Sequence, residues 1–165
     1  MYSIPSQCTH SSRQVGRTLL GFTFVETIVA MSVLLIVVSI AAPSFRNIVL
    51  SQRLKNASFD VYSTITLARH EAILKNGTVT IVPTSGSWAN GWTVTDATGK
   101  VIKMQTAMPD IAIAGPGNIS YNSSGRLSET AAPFSLTTNR VSGSSTRCIS
   151  IDLSGRPVVT SAACT

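Results

Sequence analysis

The chain has 165 residues, 44% apolar and only 12% charged, with thirteen basic against seven acidic side chains and a net charge of +6. An average soluble domain carries about 25% charged residues, so low charge with a mean hydropathy of +0.28 excludes a disordered chain and points to a membrane segment. The basic excess is too dilute to mark a nucleic-acid-binding protein by itself, and two histidines with three cysteines leave little for a metal centre or a catalytic cluster.

In chain order, Met1 to Gly21 carries only Arg13 and Arg17 as charges. Between Phe22 and Phe45 the sole charge is Glu26, and the 19 residues from Thr27 to Phe45 have none. That is close to the ~20 apolar residues a helix needs to cross a bilayer. Basic residues ahead of such a span predict that this end stays in the cytoplasm. Two ordinary readings fit the hydropathy: a cleaved secretory signal with Ser39-Ile40-Ala41 as its small-x-small site, and an uncleaved anchor. Both leave Glu26 unexplained, because an ionised carboxylate at the start of a membrane helix costs several kcal/mol unless shielded or paired.

Gly21-Phe22-Thr23-Phe24-Val25-Glu26 and the apolar run after it resemble the class III leader of type IV prepilins and pseudopilins. The resemblance implies that prepilin peptidase cuts after Gly21 and methylates the new amino terminus at Phe22. It also makes Glu26 the conserved-type acid five residues into the mature chain, and Pro43 the helix-kinking proline. Residues 1–21 then form a leader and 22–45 a transmembrane and filament-core helix. A cut at Gly21 leaves the ammonium of Phe22 in an apolar setting. Glu26 of a neighbouring subunit, equally unpaired, would neutralise it and so set the axial register of assembly.

Beyond Pro43 the pattern turns amphipathic. Leu54, Val61, Ile65, Ala68 and Ala72 recur at three- and four-residue spacing against polar Arg46, Gln52, Arg53, Lys55, Asp60, Arg69 and Lys75. One helix from Phe22 to about Asn76 is predicted, with residues 46–76 packing on a head, and Gly77 as the residue free to take a left-handed cap. Leu67 to Asn76 followed by Val79-Thr80-Ile81, then Trp88-Ala89-Asn90-Gly91-Trp92-Thr93-Val94, Ile119-Ser120-Tyr121 with Gly125, and Gly155-Arg156, are similar in order to the GspH/FimT branch of pilin-like proteins.

Residues 77–165 are rich in Gly, Ser, Thr and Val in short alternating runs. Strands are predicted at 78–82, 91–95, 100–104, 119–121, 134–138, 147–153 and 157–160, with hairpin turns at Asp96 to Gly99 and Ser154-Gly155. The expected fold is α+β and pilin-like: a long N-terminal helix packed on a small antiparallel β-rich head. With Cys8 lost in the leader, Cys148 and Cys164 are an even pair. They fit a disulfide in an oxidising compartment, the alternative being two free thiols.

No nucleophile elbow, phosphate loop, Cys-x-x-Cys or calcium loop occurs. His70 on the helix reads as a solvated or packing residue, and neither cofactor nor metal is expected. Four Asn-x-Ser/Thr triplets, at Asn56, Asn76, Asn118 and Asn122, read as chance in a Ser/Thr-rich chain of bacterial type.

The expected function is that of a minor pilin or pseudopilin, not an enzyme. It would help initiate or cap a type IV pilus or a type II secretion pseudopilus, the pilus being modestly favoured. Its partners would be prepilin peptidase, other minor and major pilins or pseudopilins, and the bacterial inner membrane. There it would be single-pass with a periplasmic head, ending near a filament tip. The rival from the binding class is DNA capture in natural transformation through Arg126, Arg140, Arg147 and Arg156. Some FimT-like proteins bind DNA through a Gly-Arg-x-Arg loop, of which Gly155-Arg156-Pro157-Val158 keeps one arginine. A third reading, a secreted enzyme or lectin-like head, would begin near Ala42.

Overall fold

The computed structural model describes residues 21–138 and 145–164. A single helix, α1, runs from Phe24 to Leu74 over 51 residues. Thr23 stands ahead of it as the N-cap: its Oγ1 accepts the Glu26 backbone N–H at 3.2 Å. Thr23-x-x-Glu26 is the pattern of a capping box, so Glu26 also sits where a first-turn acid suits the helix dipole. The kink expected at Pro43 concerns residues 42–44, whose side chains lie outside the described residues, and α1 runs through them as one helix.

The end of α1 corrects one expectation. Asn76, not Gly77, takes the left-handed conformation, with φ of 47°. Its N–H donates to Ile73 O at 3.2 Å while the Gly77 N–H donates to Ala72 O at 3.1 Å. Those two bonds are a Schellman motif with Asn at its left-handed position. Asparagine tolerates that region better than other residues with a Cβ, leaving glycine one place later.

Chain geometry divides the molecule into two compact units, 1–40 and 41–165. In the first, the described side chains of α1 are exposed around the whole helix, from Phe24 to Ile40. Its hydroxyls turn inward on their own backbone: Thr27 donates to Phe24 O, Ser32 to Ile28 O and Ser39 to Ile36 O, at 2.8, 2.8 and 2.7 Å. Polar groups satisfied this way are compatible with an apolar surround.

In the second unit, one face of α1 is buried: Leu50, Leu54, Ala57, Ser58, Val61, Thr64, Ile65, Ala68 and Ala72. The alanines keep the stripe thin, which lets the strands approach closely. Eight strands follow. They are β1 (Val79–Pro83), β2 (Trp92–Asp96), β3 (Val101–Gln105), β4 (Ile111–Ala114), β5 (Ile119–Tyr121), β6 (Phe134–Thr138), β7 (Thr146–Ile151) and β8 (Pro157–Thr160). They form two antiparallel sheets, ordered β3-β2-β1-β5 and β4-β6-β7-β8.

The head is β-rich as expected, and β4 is a strand beyond those predicted. Its Ile-Ala-Ile-Ala alternation buries Ile111 and Ile113 on one face. Short turns at Thr84–Gly86 and Trp88–Asn90 were also not expected.

One core joins the helix stripe to both sheets. Trp92, Tyr121 and Phe134 are its largest fully buried side chains. Trp88 packs edge-on to Phe134 with centroids 4.7 Å apart, and its Nε1 donates to Pro116 O at 2.6 Å. Trp92 Nε1 donates to Thr64 Oγ1 at 3.2 Å, and Lys103 Nζ reaches the same hydroxyl at 3.0 Å, so a single threonine ties α1 to β2 and β3. Glycine at 91 is required by the pairing of Trp92 with Gln105: φ is 93°, and a Cβ there would collide with the Gln105 carbonyl.

Candidate functional site

The first candidate site is the start of α1. Gly21, Phe22 and Thr23 precede the helix, Gly21 has no neighbour within 4 Å of where a Cβ would stand, and Phe22 is 81% exposed. Glu26 follows within the first turn. Among the described residues no cation lies in ion-pair distance of its carboxylate, and the helix flanking it is apolar and exposed. Its backbone N–H serves the cap.

The second candidate site lies on the head, where three turns repeat one formula: Asx, any residue, Ser or Thr, Gly, then Lys or Arg. They are Asp96-Ala97-Thr98-Gly99-Lys100, Asn122-Ser123-Ser124-Gly125-Arg126 and Asp152-Leu153-Ser154-Gly155-Arg156. In each, the Asx Oδ1 accepts the N–H of the closing basic residue, at 3.1, 3.1 and 3.0 Å. In each the glycine holds a positive φ, 83°, 69° and 83°, and donates its N–H to the Asx carbonyl. Only two of these turns were read as hairpins from sequence. The repeat itself, [DN]-x-[ST]-G-[KR] three times, is a pattern of the residues alone.

Two of the three turns pack together. Arg69 of α1 donates from Nε to Gly125 O at 2.9 Å, and the Tyr121 hydroxyl donates to Gly155 O at 3.1 Å. A methyl at Gly155 would land on Gly125 O and the Tyr121 ring. The turn after β5 and the turn between β7 and β8 are thus held against each other and against the helix. Burial pushes the Tyr121 phenol well above its ordinary value, with Arg69 opposing, so it remains a donor. The Asp152 carboxyl is held below its ordinary value, first by the Ser154 hydroxyl and then by the Arg156 N–H.

Arg126 and Arg156, the last residues of these paired turns, are both exposed. The other two arginines proposed for DNA do not join them. Arg147 is half-buried near the start of β7, at the opposite end of the β7–β8 ladder from Arg156 and roughly 17 Å of strand away. Arg140 lies outside the described residues. Cys148 and Cys164 form a disulfide that fastens the residues after β8 to β7.

Lys75 links α1 to the third turn, with Nζ 3.0 Å from Asp96 Oδ2 and 3.5 Å from Glu71 Oε2. The Thr98 hydroxyl, then Lys75, hold the Asp96 carboxyl below its ordinary value. Asp96, foremost, raises Lys75 in turn.

Two clefts of about 370 and 280 Å³ open on the head, one beside β5 and one between α1 and the β3–β4 connection; neither is lined by histidine or cysteine. Among the described residues no group of three potential metal ligands comes together.

A family model described as Type II transport protein GspH matches residues 57–155. No curated protein matches. Two crystal structures of the type IV minor pilin FimU from Pseudomonas aeruginosa share the fold, with TM-scores of 0.57 and 0.53 at 16% identity. They cover 67% and 64% of this chain and 90% and 91% of theirs. The family match spans the buried half of α1 and the strands up to the paired turns, which is more than half of the sequence. The chain therefore belongs to the GspH family of type IV pilin-like proteins.

Proposed function

We propose that this protein is a minor pilin or pseudopilin that helps initiate or cap a type IV pilus or a type II secretion pseudopilus. One observation carries the reading. The first half of α1 is apolar on every side and exposed throughout, yet bears a single carboxylate in its first turn. An apolar helix with no cover in its own chain requires a bilayer or a bundle of like helices, and a carboxylate there requires a cation.

In this reading residues 1–21 are a leader, removed at Gly21 by prepilin peptidase. Residues 22–45 are first a membrane span, entered from the cytoplasmic side, and then a filament-core helix. Residues 46–76 carry the head, 77–165, in the periplasm. The methylated ammonium of Phe22 then pairs with Glu26 of the neighbouring subunit, and the subunit ends near the filament tip. The likeness to a type IV minor pilin and the Gly155-Arg156 turn favour the pilus over the secretion machine.

Glu26→Gln is the sharper test of register, because glutamine can still serve a capping box while the charge is gone. Membrane insertion should persist and incorporation into filaments should fall at least about a hundredfold, the lower end of the effect of leaving one buried partner unpaired. Mass spectrometry should find a mature chain starting at methylated Phe22. Incorporation equal to wild type, or a start near Ala42, would sink the reading.

A second reading, DNA capture, is favoured only by the exposed Arg126 and Arg156 on paired turns. It predicts salt-sensitive retardation of duplex DNA by the full chain in detergent, abolished by Arg126→Ala with Arg156→Ala.

A further inference from the structure

Sheet β4-β6-β7-β8 overhangs its own core by one strand. β8 is the edge, and Val158, Val159 and Thr160 are all exposed. Strand alternation places Val159 on the face of its partner Ile149, which is fully buried, and Val158 on the opposite face. Both faces of β8 are therefore open, an unusual condition for consecutive β-branched residues.

The ladder fixes which backbone groups of β8 point away from the sheet. The Asp152 N–H donates to Arg156 O at 3.2 Å, so Asp152 and Arg156 are a bonded pair. Bonded and non-bonded pairs alternate along antiparallel strands. Ser150–Val158 is then bonded, whereas Ile151–Pro157 and Ile149–Val159 are not. The carbonyl of Pro157 and both the N–H and C=O of Val159 turn outward. Proline at 157 costs no ladder bond, since its missing N–H would have faced out. Among the described residues nothing accepts the Val159 N–H, which is left as the open donor of the edge.

Beside this edge stand Leu153, 58% exposed at the turn, then Arg156 immediately before β8, and Arg126 on the turn packed against it. Among the described residues neither arginine has an ion-pair partner. Asp152 is the acid of the same turn, and its carboxylate is engaged by the Ser154 hydroxyl and the Arg156 N–H.

We propose that β8 is a docking edge for an extended segment of a partner protein. That segment alternates apolar residues and carries carboxylates at the end that meets Arg126 and Arg156. Each feature has a use in such a complex: Val159 and Pro157 supply the main-chain pairing, Val158 and Leu153 the apolar contact, and the arginines the register. Duplex DNA would use the arginines alone. A second copy paired edge to edge fits poorly, because residues 156–164 contain no acid to meet Arg156. The proposal goes beyond the subunit reading and is tested without any filament, so either can fail alone.

The test uses the full chain in detergent micelles and a fluorescent peptide of about eight residues, a common strand length. The peptide alternates valine and threonine and ends in two glutamates. Saturable binding is expected, with the lysine-ended peptide failing to bind. Val159→Pro removes the outward donor. Arg126→Ala with Arg156→Ala removes the charge. Each should weaken binding about tenfold, the value of one charge-assisted or edge hydrogen bond group. Val159→Lys, which blunts the edge without a backbone change, should do the same while thermal unfolding and the disulfide stay as in wild type. Three results would each overturn the proposal: no saturable binding of the acidic peptide, binding as tight as wild type by both Val159→Pro and Val159→Lys, or edge variants that alter DNA retardation or self-association instead.

Discussion

The two halves of α1 are equally helical and serve different solvents. From Phe24 to Ile40 the apolar side chains surround the helix and none is covered. From Leu50 to Ala72 they keep to one stripe, and that stripe is buried on two sheets. The difference lies in arrangement: residues of one chemical kind either complete a core or demand an apolar environment outside the chain, according to whether they occupy one face or all of them. The head half is folded by its own contacts, and the bare half leaves its apolar side chains uncovered.

The comparison can be broken from either side. The largest effect is expected in the head. Trp92→Ala removes the bulkiest fully buried side chain and its bond to Thr64, and should cost about 3–5 kcal/mol. Thermal unfolding of the head should register that loss while membrane insertion is unchanged.

The converse variant, Leu34→Arg, places a charge in the middle of the bare half and should cost roughly 2.5–3.5 kcal/mol of insertion. Fractionation should find the chain partly out of the membrane, with the head's unfolding midpoint unmoved. If Leu34→Arg unfolded the head, or Trp92→Ala abolished insertion, the division of labour would be wrong.

Smaller effects sharpen the account of the head. Gly155→Ala meets both a positive φ and the Gly125 carbonyl, and should destabilise by about 2 kcal/mol. Gly99→Ala has the same φ but open space around it, and should cost about 1 kcal/mol. Equal costs would mean that the paired turns are not held together.

Acid should give the mildest response. The Asp96 and Asp152 carboxyls are lowered in the folded chain. Their contribution is complete above the ordinary value of 3.8 and is lost as pH falls through the lower folded values. The raised Lys75 contributes below 10.5 and loses that as pH rises through its folded value. Lys75 and Asp152 are exposed and Asp96 sits half-buried at a turn open to water, so the unfolding midpoint should be nearly flat around neutrality and decline gently below about pH 4. A midpoint that rose on acidification would contradict the sign.

Much of this was legible in the residues. The helix, its apolar stripe, most strands and the cysteine pair follow from periodicity, charge and spacing, which are local properties. The misses have local reasons too. β4 is four residues with two alanines, too weak a run to stand out. The cap moved to Asn76 because both Asn and Gly can be left-handed, and the hydrogen bonds to Ala72 and Ile73 decide between them. The four arginines proposed as one binding set could not be sorted by sequence. Residues 126 and 156 meet because their turns pack, and residue 147 lies at the far end of a strand.

The sequence alone determined where the chain is apolar all round, where it is apolar on one side, and where a lone carboxylate interrupts the span. These depend on residue type and order, and hold in any conformation. Tertiary structure alone decided that the strands split into two sheets, that Gly125 and Gly155 come into contact, and that β8 is left as an open edge. Those outcomes depend on which segments compete for the single helix face and for each other's hydrogen bonds, and strand partners distant in sequence are selected only when the whole core assembles.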